Sequence, residues 1–281
     1  MTTALLMTAT VVPQPAFVGR ITTPLEPAIR QNEYFRAVSH YLSKPGFEDV
    51  IFCENSGADL SFVEPLKMLA VKMNKRLELL SFSGNPETIA RFGYYGCGDA
   101  EIIDYAFEHS KLLRDHGSFH KVTGRYVLQE PRRVIDAIGE RHDFFCHDGY
   151  RPIVTFGTVM LEVMTAFFKV SRQTYERHLF NKVMPTYDAL YNSPKVSSLF
   201  PRGYPCVLLE QVYYVLLRNF LKTQKTYRYV PIFFEHWQFP PWFCWFRNFS
   251  LSLLQIDQFQ LAHWIADGFF FDRLYGEILP Q

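Results

Sequence analysis

Residues 118–128, SFHKVTGRYVL, place two cations and a glycine in a segment that otherwise has the pattern of a buried β-strand. Lys121 and Arg125 lie an even number of residues apart, so in a strand both side chains would point to the same side. Arginine binds phosphate oxygens through paired hydrogen bonds, and lysine binds them as a point charge. Gly124 would let backbone approach a ligand. The segment therefore suggests a binding site for a diphosphate. The alternative is an edge strand with solvated charges.

Polar side chains also follow two earlier apolar runs. Thr8 and Thr10 close the first run, and Glu54 and Asn55 follow the run DVIFC. A Glu-Asn pair at a strand end could exchange hydrogen bonds with a base or a ribose. The alternative for this pair is an Asn-Ser-Gly turn beside a surface glutamate.

Three carboxylates are candidates for a general base. Glu210 is the only acid in the apolar helix VLLEQVYYVLLRNFL, where burial of an unpaired carboxylate would be costly and would raise its pKa. A glutamate that faces solvent or an inert cavity is the alternative. Asp143 and Asp148, in RHDFFCHD, are the rivals of Glu210. The histidine–acid pairs of this segment and of FFEHW match no accepted ligand spacing, so no metal site is predicted.

The elements that must position these residues alternate along the first half of the chain. Strands are predicted in residues 5–12, in DVIFCENSG, in LELLSFSGN and in the segment 118–128, with helices between them. Ser61 and Asp99 are the predicted caps of the second and third helices. This alternation over about 125 residues predicts an α/β fold, with a mainly parallel sheet flanked by helices on both faces. Such sheets bind ligands beyond the carboxyl ends of their strands, at the switch in strand order.

Composition narrows the class of protein. The chain has 281 residues, of which 48% are hydrophobic, and a net charge of +1, which argues against a general nucleic-acid binder. Five scattered cysteines without a CxxC pair fit a reducing compartment. No secretory signal pattern opens the sequence, and Gly157 and Glu162 interrupt its most apolar internal run, so a cytoplasmic protein is expected.

Four motifs, in this order of elements, resemble a group of bacterial and viral glycosyltransferases with a GT-A-like, Rossmann-like fold. The motifs are an Arg-x3-Tyr pattern at Arg30 and Tyr34, IFCENSG at 51–57, GYYGCGDAE ahead of a helix, and KVTGRY at 121–126. The resemblance covers residues 5–130 well and the remainder loosely. Two departures stand out. Similar proteins tend to carry G-K-G-Y-G-E in the glycine-rich loop, and metal-dependent relatives carry Asp-x-Asp where this chain has KVTGRY.

The resemblance implies one domain, 1–281, whose residues 1–130 bind a nucleotide sugar and whose residues 131–281 form the acceptor side with C-terminal, partly aromatic helices. It implies transfer of a sugar from a nucleoside-diphosphate donor to a saccharide or lipid-linked acceptor, as in surface polysaccharide or glycan synthesis. The implied donor-binding residues are Thr8, Thr10, Glu54, Asn55, Lys121, Thr123, Gly124, Arg125 and Tyr126.

Departure of the diphosphate develops negative charge, which a metal or fixed cations must stabilise. Lys121 and Arg125 could do this alone, so we expect no required cofactor, and a divalent metal is left open. A sugar-phosphate nucleotidyltransferase is one alternative, but this chain lacks the glycine-rich loop after the first strand that such enzymes use. A non-catalytic binding protein with a degenerate transferase fold is the other. Peripheral contact with the inner face of a membrane, through FFEHWQFPPWFCWFRNF, is also left open.

Overall fold

The computed structural model describes residues 3–13, 26–92, 96–139, 143–146, 153–155, 158–160, 163–194 and 209–223. The strands are β1 (Ala4–Ala9), β2 (Asp49–Glu54), β3 (Arg76–Ser81), β4 (Ser118–Thr123), β5 (Phe144–Cys146), β6 (Ile153–Thr155), β7 (Thr158–Met160) and β8 (Met164–Ser171). The helices are α1 (Pro27–Ser43), α2 (Leu66–Lys72), α3 (Pro86–Phe92), α4 (Gly96–His109), α5 (Lys111–Arg114), α6 (Pro131–Ile138), α7 (Arg172–His178), α8 (Val183–Tyr191) and α9 (Leu209–Thr223).

Six of the strands form one sheet in the order β3-β2-β1-β4-β8-β5. The first four are parallel, and β8 runs antiparallel to both β4 and β5. The predicted α/β fold, with a mainly parallel sheet between helices, is confirmed. From β1 the chain builds toward β2 and β3 on one side and then crosses to β4 on the other. The switch in strand order therefore lies between β1 and β4, where open α/β sheets place their ligands.

Helices cover both faces of the sheet because the central strands are apolar on both sides. Every residue of β1 is buried. Leu5 and Met7 pack with α1 and α2 on one face, whereas Ala4 and Leu6 pack with α4, α8 and α9 on the other. A strand buried on both faces reads as a continuous apolar run, which is how β1 reads in the sequence.

Within the described residues, no helix is long and apolar enough to cross a bilayer.

Two predicted helix starts differ from the structure. The second helix, expected to be capped at Ser61, begins at Leu66, because residues 61–65 form turns in which Val63 N donates to the carbonyl of Leu60 at 3.0 Å. The third predicted helix corresponds to α4, which already begins at Gly96. Asp99 therefore lies inside the first turn of α4, with its carboxylate free to contact other elements.

The end of β4 corrects the expectation that Lys121 and Arg125 point to the same side. β4 ends at Thr123 and the chain turns there, so the alternation of a strand does not extend to Arg125. Lys121 faces α4, while Arg125 Nη1 donates to Glu33 Oε2 of α1 at 2.9 Å, on the opposite face. The two cations therefore do not converge as a pair on one face of the sheet.

Gly124 is required by the close approach of two backbones. Its N–H donates to the carbonyl of Thr8 at 2.8 Å, and a Cβ at this position would lie 2.5 Å from that same oxygen. No real side chain tolerates such a contact, so the glycine of the TGRY motif locks β4 against the end of β1.

We expect Gly124→Ala to lower the free energy of unfolding by about 1–3 kcal/mol, because the added methyl must push β4 away from β1. Urea denaturation followed by circular dichroism measures the loss. Gly117→Ala is the matched control, since a Cβ there meets no atom within 4 Å. Equal stabilities of the two variants would contradict the assignment.

Candidate functional site

A buried cation is the central feature at the carboxyl end of β4. The Lys121 side chain is 0% exposed, and its ammonium contacts Asp99 Oδ2 in the first turn of α4. The same ammonium donates to the carbonyl of Thr165 at 2.7 Å and to Thr123 Oγ1 at 3.3 Å. A lysine with three N–H groups thus has three partners, one of them an anion, as a buried charge requires.

Thr165 connects this cation to a second carboxylate. Its hydroxyl donates to Glu210 Oε1 at 2.7 Å, and its carbonyl accepts from Lys121. Thr165 lies in β8, whose antiparallel direction places the start of that strand beside the end of β4. Glu210 lies in the first turn of α9, and its carbonyl accepts from Val163 N at 3.0 Å. We call Asp99, Lys121, Thr165 and Glu210 the lysine–carboxylate cluster.

The two carboxylates of the cluster experience different environments. Burial raises the pKa of Glu210 above its usual range, while the hydrogen bond from Thr165 and the charge of Lys121 pull it down. Asp99, by contrast, pairs directly with the lysine, and its side chain keeps 17% of its exposure. A carboxylate with a raised pKa in a mostly enclosed site is suited to proton transfer.

Two tyrosines border the cluster. Burial raises the pKa of Tyr126, the positive charge of Arg125 lowers it, and the negative charges of Asp99 and Glu210 raise it. Tyr213, one turn beyond Glu210 in α9, is fully buried. Burial and the negative charges of Asp99, Asp104 and Glu210 hold its pKa well above the usual range. Both phenols therefore stay neutral and can serve as hydrogen-bond donors.

Two buried hydroxyls have no hydrogen-bond partner among the described residues: Thr8 Oγ1 at this edge and Tyr213 Oη on α9. Thr8 lies directly across from Thr123 in the β1–β4 pairing, so its hydroxyl is at the switch in strand order. A buried hydroxyl that lacks a partner is destabilising, and most such groups in folded proteins are satisfied by protein, water or ligand.

The end of β1 is held by the Arg-x3-Tyr pair of α1. Arg30 Nε donates to the carbonyl of Thr10 at 2.7 Å, and Tyr34 Oη both accepts from Thr10 N at 3.0 Å and contacts its carbonyl. Thr10 Oγ1 in turn donates to Asn55 Oδ1 at 2.7 Å. Asn55 Nδ2 lies 3.5 Å from the carbonyl of Gly98, which links this pair to α4.

Glu54, also predicted to contact the nucleoside, is engaged within the protein itself. Its carboxylate accepts from the backbone N–H groups of Ser56 at 2.7 Å, Val11 at 3.0 Å and Ala58 at 3.1 Å. The hydroxyls of Ser56 and Ser81 also donate to it. With 0% exposure and these donors, Glu54 binds together the loops that follow β1 and β2. Any influence of Glu54 on a nucleoside would act through the shape of these loops.

Asp143, one of the two rival bases, is not brought to the cluster. Asp143 precedes β5, where Oδ1 accepts from Ser171 N at 2.8 Å and Oδ2 from Thr174 Oγ1 at 3.0 Å. Ser171 pairs with Ser118 at the start of β4, so Asp143 lies at the amino edge of the sheet, opposite Lys121. Asp148 lies outside the described residues, as does the aromatic run at 233–249.

Sequence reasoning missed three members of this site. Asp99 was named as a helix cap and as an acid of the glycine-rich loop but not as a site residue, and Thr165 and Tyr213 were not singled out. The signal for Asp99 was present, because it is an acid in a glycine-rich loop that leads into a helix beside KVTGRY. Thr165 and Tyr213 have no such signal, since only the antiparallel placement of β8 and the packing of α9 bring them here.

Ligands for a metal ion are few in this part of the chain. Within the described ranges, no group of three or more His, Cys, Asp or Glu side chains is close enough to hold an ion. Asp99 and Glu210 are the two carboxylates of the cluster, and Lys121 lies beside both of them.

A separate cavity of about 410 Å³ lies between α3, α4 and α8, at the other side of the first turn of α4. Asn85, Arg91, Cys97, Glu101 and Asp188 contribute to its lining, and the predicted donor-binding residues do not. Arg91 Nη2 and Asp188 Oδ1 form an ion pair of 2.7 Å at its rim.

The sequence matches no protein-family model and no curated protein. Solved structures with a similar chain path include the apo form of the glycosyltransferase GlyE of Streptococcus pneumoniae TIGR4, with 9% identity, a TM-score of 0.45, and coverage of 78% of this chain and 44% of that one. An active-site mutant of LgtC has 11% identity, a TM-score of 0.43, and coverage of 72% and 68%. Mouse xyloside xylosyltransferase 1 has 9% identity, a TM-score of 0.38, and coverage of 76% and 82%. This chain spans less than half of the length of GlyE, and at such TM-scores the likeness concerns the arrangement of strands and helices.

We expect Glu54→Gln to destabilise the protein by about 1–3 kcal/mol, because the amide group turns a donor toward backbone N–H groups that the carboxylate now satisfies. Thermal and urea denaturation measure the change. Glu64→Gln is the control, since that carboxylate is about half exposed and pairs with Lys67 at the surface. A Glu54→Gln variant as stable as the control would show that these hydrogen bonds contribute little.

Proposed function

We propose that this protein is a glycosyltransferase, which moves a sugar from a nucleoside-diphosphate donor to a saccharide or lipid-linked acceptor in glycan synthesis. The observation that carries the proposal is the lysine–carboxylate cluster at the switch in strand order. A cation, a carboxylate with a raised pKa and the buried hydroxyl of Thr8, which has no partner among the described residues, lie at the edge where this class of sheet binds ligands. The resemblance of the motifs to those of GT-A-like glycosyltransferases supports the same function.

In this proposal the nucleoside lies over the ends of β1 and β2. Thr8, Thr10 and Asn55 line that edge, held by Arg30 and Tyr34 from α1. The diphosphate lies toward Lys121 and Thr123 at the end of β4, with Tyr126 beside the sugar. Arg125 approaches from the α1 side, where its ion pair with Glu33 retains 20% exposure of the arginine. A cation near the leaving diphosphate stabilises the charge that develops when the glycosidic bond breaks.

Glu210 is the proposed general base. Its carboxylate would take the proton from the acceptor hydroxyl as that oxygen attacks the anomeric carbon, and the nucleoside diphosphate departs with the bonding electrons. Thr165 fixes the carboxylate by its 2.7 Å hydrogen bond. The neighbouring Lys121 keeps a positive charge close to both the base and the leaving group.

Donor turnover tests the proposal directly. The purified full-length chain is incubated with uridine, guanosine and thymidine diphosphate sugars, and release of the nucleoside diphosphate is measured with and without simple saccharide acceptors. Reactions in EDTA and in added Mg²⁺ or Mn²⁺ test whether a metal is needed. We expect turnover of at least one donor in EDTA. A nucleotidyltransferase would instead release pyrophosphate from a nucleoside triphosphate with a sugar phosphate, and binding without turnover of any donor would indicate a non-catalytic protein.

We expect Glu210→Gln to lower the transfer rate by about 10²–10⁴-fold while donor affinity changes little, since a general base acts on the acceptor. The sign of the pH effect follows from the raised pKa of Glu210, because the base must be deprotonated. Wild-type kcat should fall as the pH decreases through that raised pKa, at a higher pH than for an ordinary glutamate, and the variant should lose this acidic limb. An unchanged pH profile of the variant would show that another residue is the general base. Asp143→Asn is the matched control, because its carboxylate lies at the opposite edge of the sheet.

A further inference from the structure

The buried ammonium of Lys121 has no hydrogen left to offer to a ligand. Its three described partners are the carboxylate of Asp99, the carbonyl of Thr165 and the hydroxyl of Thr123. A diphosphate can therefore reach this cation only if one partner leaves. Thr165 offers a backbone carbonyl that β8 holds in place, and Thr123 offers a neutral hydroxyl at 3.3 Å.

Asp99 differs from those two partners in its charge. It is an anion, and its side chain keeps 17% exposure while that of Lys121 has none. Solvent therefore reaches the carboxylate that pairs with the buried ammonium. Since a buried ammonium without an anion is strongly destabilising, Lys121 should retain Asp99 until another anion takes its place.

The surroundings offer unused donors for such an anion. Thr8 Oγ1 lies across β1 and β4 from Thr123, and it has no hydrogen-bond partner among the described residues. Tyr213 Oη, on α9 next to Glu210, is likewise buried and without a partner there. Asp99 already provides one negative charge at this point, and these hydroxyls could donate to further oxygens of a larger anion.

We propose that Asp99 is an internal substitute for the donor diphosphate: it occupies the anion seat on Lys121 in the ligand-free protein, and the diphosphate displaces it. This inference rests on the proposed function, in that the displacing anion is the diphosphate of the sugar donor. It adds that Asp99 competes with the donor diphosphate for Lys121. In the absence of a donor, the carboxylate of Asp99 compensates the charge of Lys121, so the protein stays folded. Binding is an exchange of one anion for another at the same ammonium.

The exchange predicts an unusual sign for one substitution. Removing a side chain that contacts a ligand weakens binding, whereas removing a competitor strengthens it. Asp99→Asn keeps the shape and a carbonyl acceptor for Lys121 but removes the negative charge. We expect this variant to bind inorganic pyrophosphate at least about tenfold more tightly than wild type, because the buried ammonium then lacks its hydrogen-bonded anion. Lys121→Met should lose most of the pyrophosphate affinity.

Isothermal titration calorimetry with pyrophosphate on the full-length chain measures these affinities without the donor sugar or nucleoside being known. Glu101→Gln is the matched control. It removes a carboxylate from the same stretch of α4 whose Oε1 accepts from Asn85 N at 2.9 Å, away from Lys121. We expect the control to bind pyrophosphate as wild type does.

Wild-type protein supplies a second measurement if Asp99→Asn does not fold. In protein labelled with ¹⁵N-lysine, the ammonium signal that Lys121→Met removes belongs to Lys121. We expect saturating pyrophosphate to shift this signal, because the exchange replaces Asp99 as its partner. A Lys121 signal that does not respond to pyrophosphate would overturn the inference.

The outcomes separate this inference from the proposed function. If Asp99→Asn binds pyrophosphate no more tightly than wild type while Lys121→Met loses binding, Asp99 orients Lys121 and does not compete, so the inference is wrong and the seat remains. If neither variant changes pyrophosphate binding, both the exchange and the role of Lys121 toward a diphosphate are wrong. If the exchange is observed but no nucleotide sugar is turned over, the competition between Asp99 and pyrophosphate for Lys121 holds, and glycosyl transfer is wrong.

Discussion

Lys121 needs a negative charge beside it at all times, and much of the site follows from that need. A fully buried ammonium on the central part of the sheet would be destabilising if it were alone. Asp99 from α4 provides this negative charge, and the backbone carbonyl of Thr165 from β8 accepts a further hydrogen bond. These contacts bring three elements that are distant in sequence to one point. A site built in this way is stable without a ligand and still contains a cation that another anion can use.

The topology of the sheet explains why this point lies at the edge suited to binding. β4 is parallel to β1, so its carboxyl end lies beside Thr8 at the switch in strand order. β8 is antiparallel to β4, so its amino end, with Thr165, arrives at the same edge. A parallel strand in that position would bring its carboxyl end there instead. The reversed strand therefore supplies a hydroxyl and a carbonyl that link Lys121 to Glu210.

The parallel half of the fold could be predicted from the sequence. The strands β1 to β4 are apolar runs, and the helices between them show clear periodicity of their apolar residues. The sequence also pointed to Lys121 and Glu210 as candidates for the chemistry, from a cation in a strand and an acid in an apolar helix. It failed at Arg125, because the turn at Gly124 ends the strand earlier than the alternation of residues suggests. It could not predict Thr165, because the antiparallel pairing of β8 depends on contacts far along the chain. Local sequence patterns indicate secondary-structure propensity and hydrophobic periodicity, but they do not indicate the direction of a strand far along the chain.

Glu54, which is buried, and Glu210, which is partly buried, show how the surroundings of a carboxylate decide between a structural and a chemical role. Glu54 accepts hydrogen bonds from three backbone N–H groups and from serine hydroxyls, so its oxygens are satisfied by the loops that they hold together. Glu210 accepts from the hydroxyl of Thr165 at one carboxylate oxygen, and burial raises the pKa of the group. Burial alone therefore does not identify a base. A carboxylate whose oxygens hold loops together through backbone donors has a structural role, whereas one that is oriented by a hydroxyl beside a cation, with a raised pKa, can take up a proton and release it.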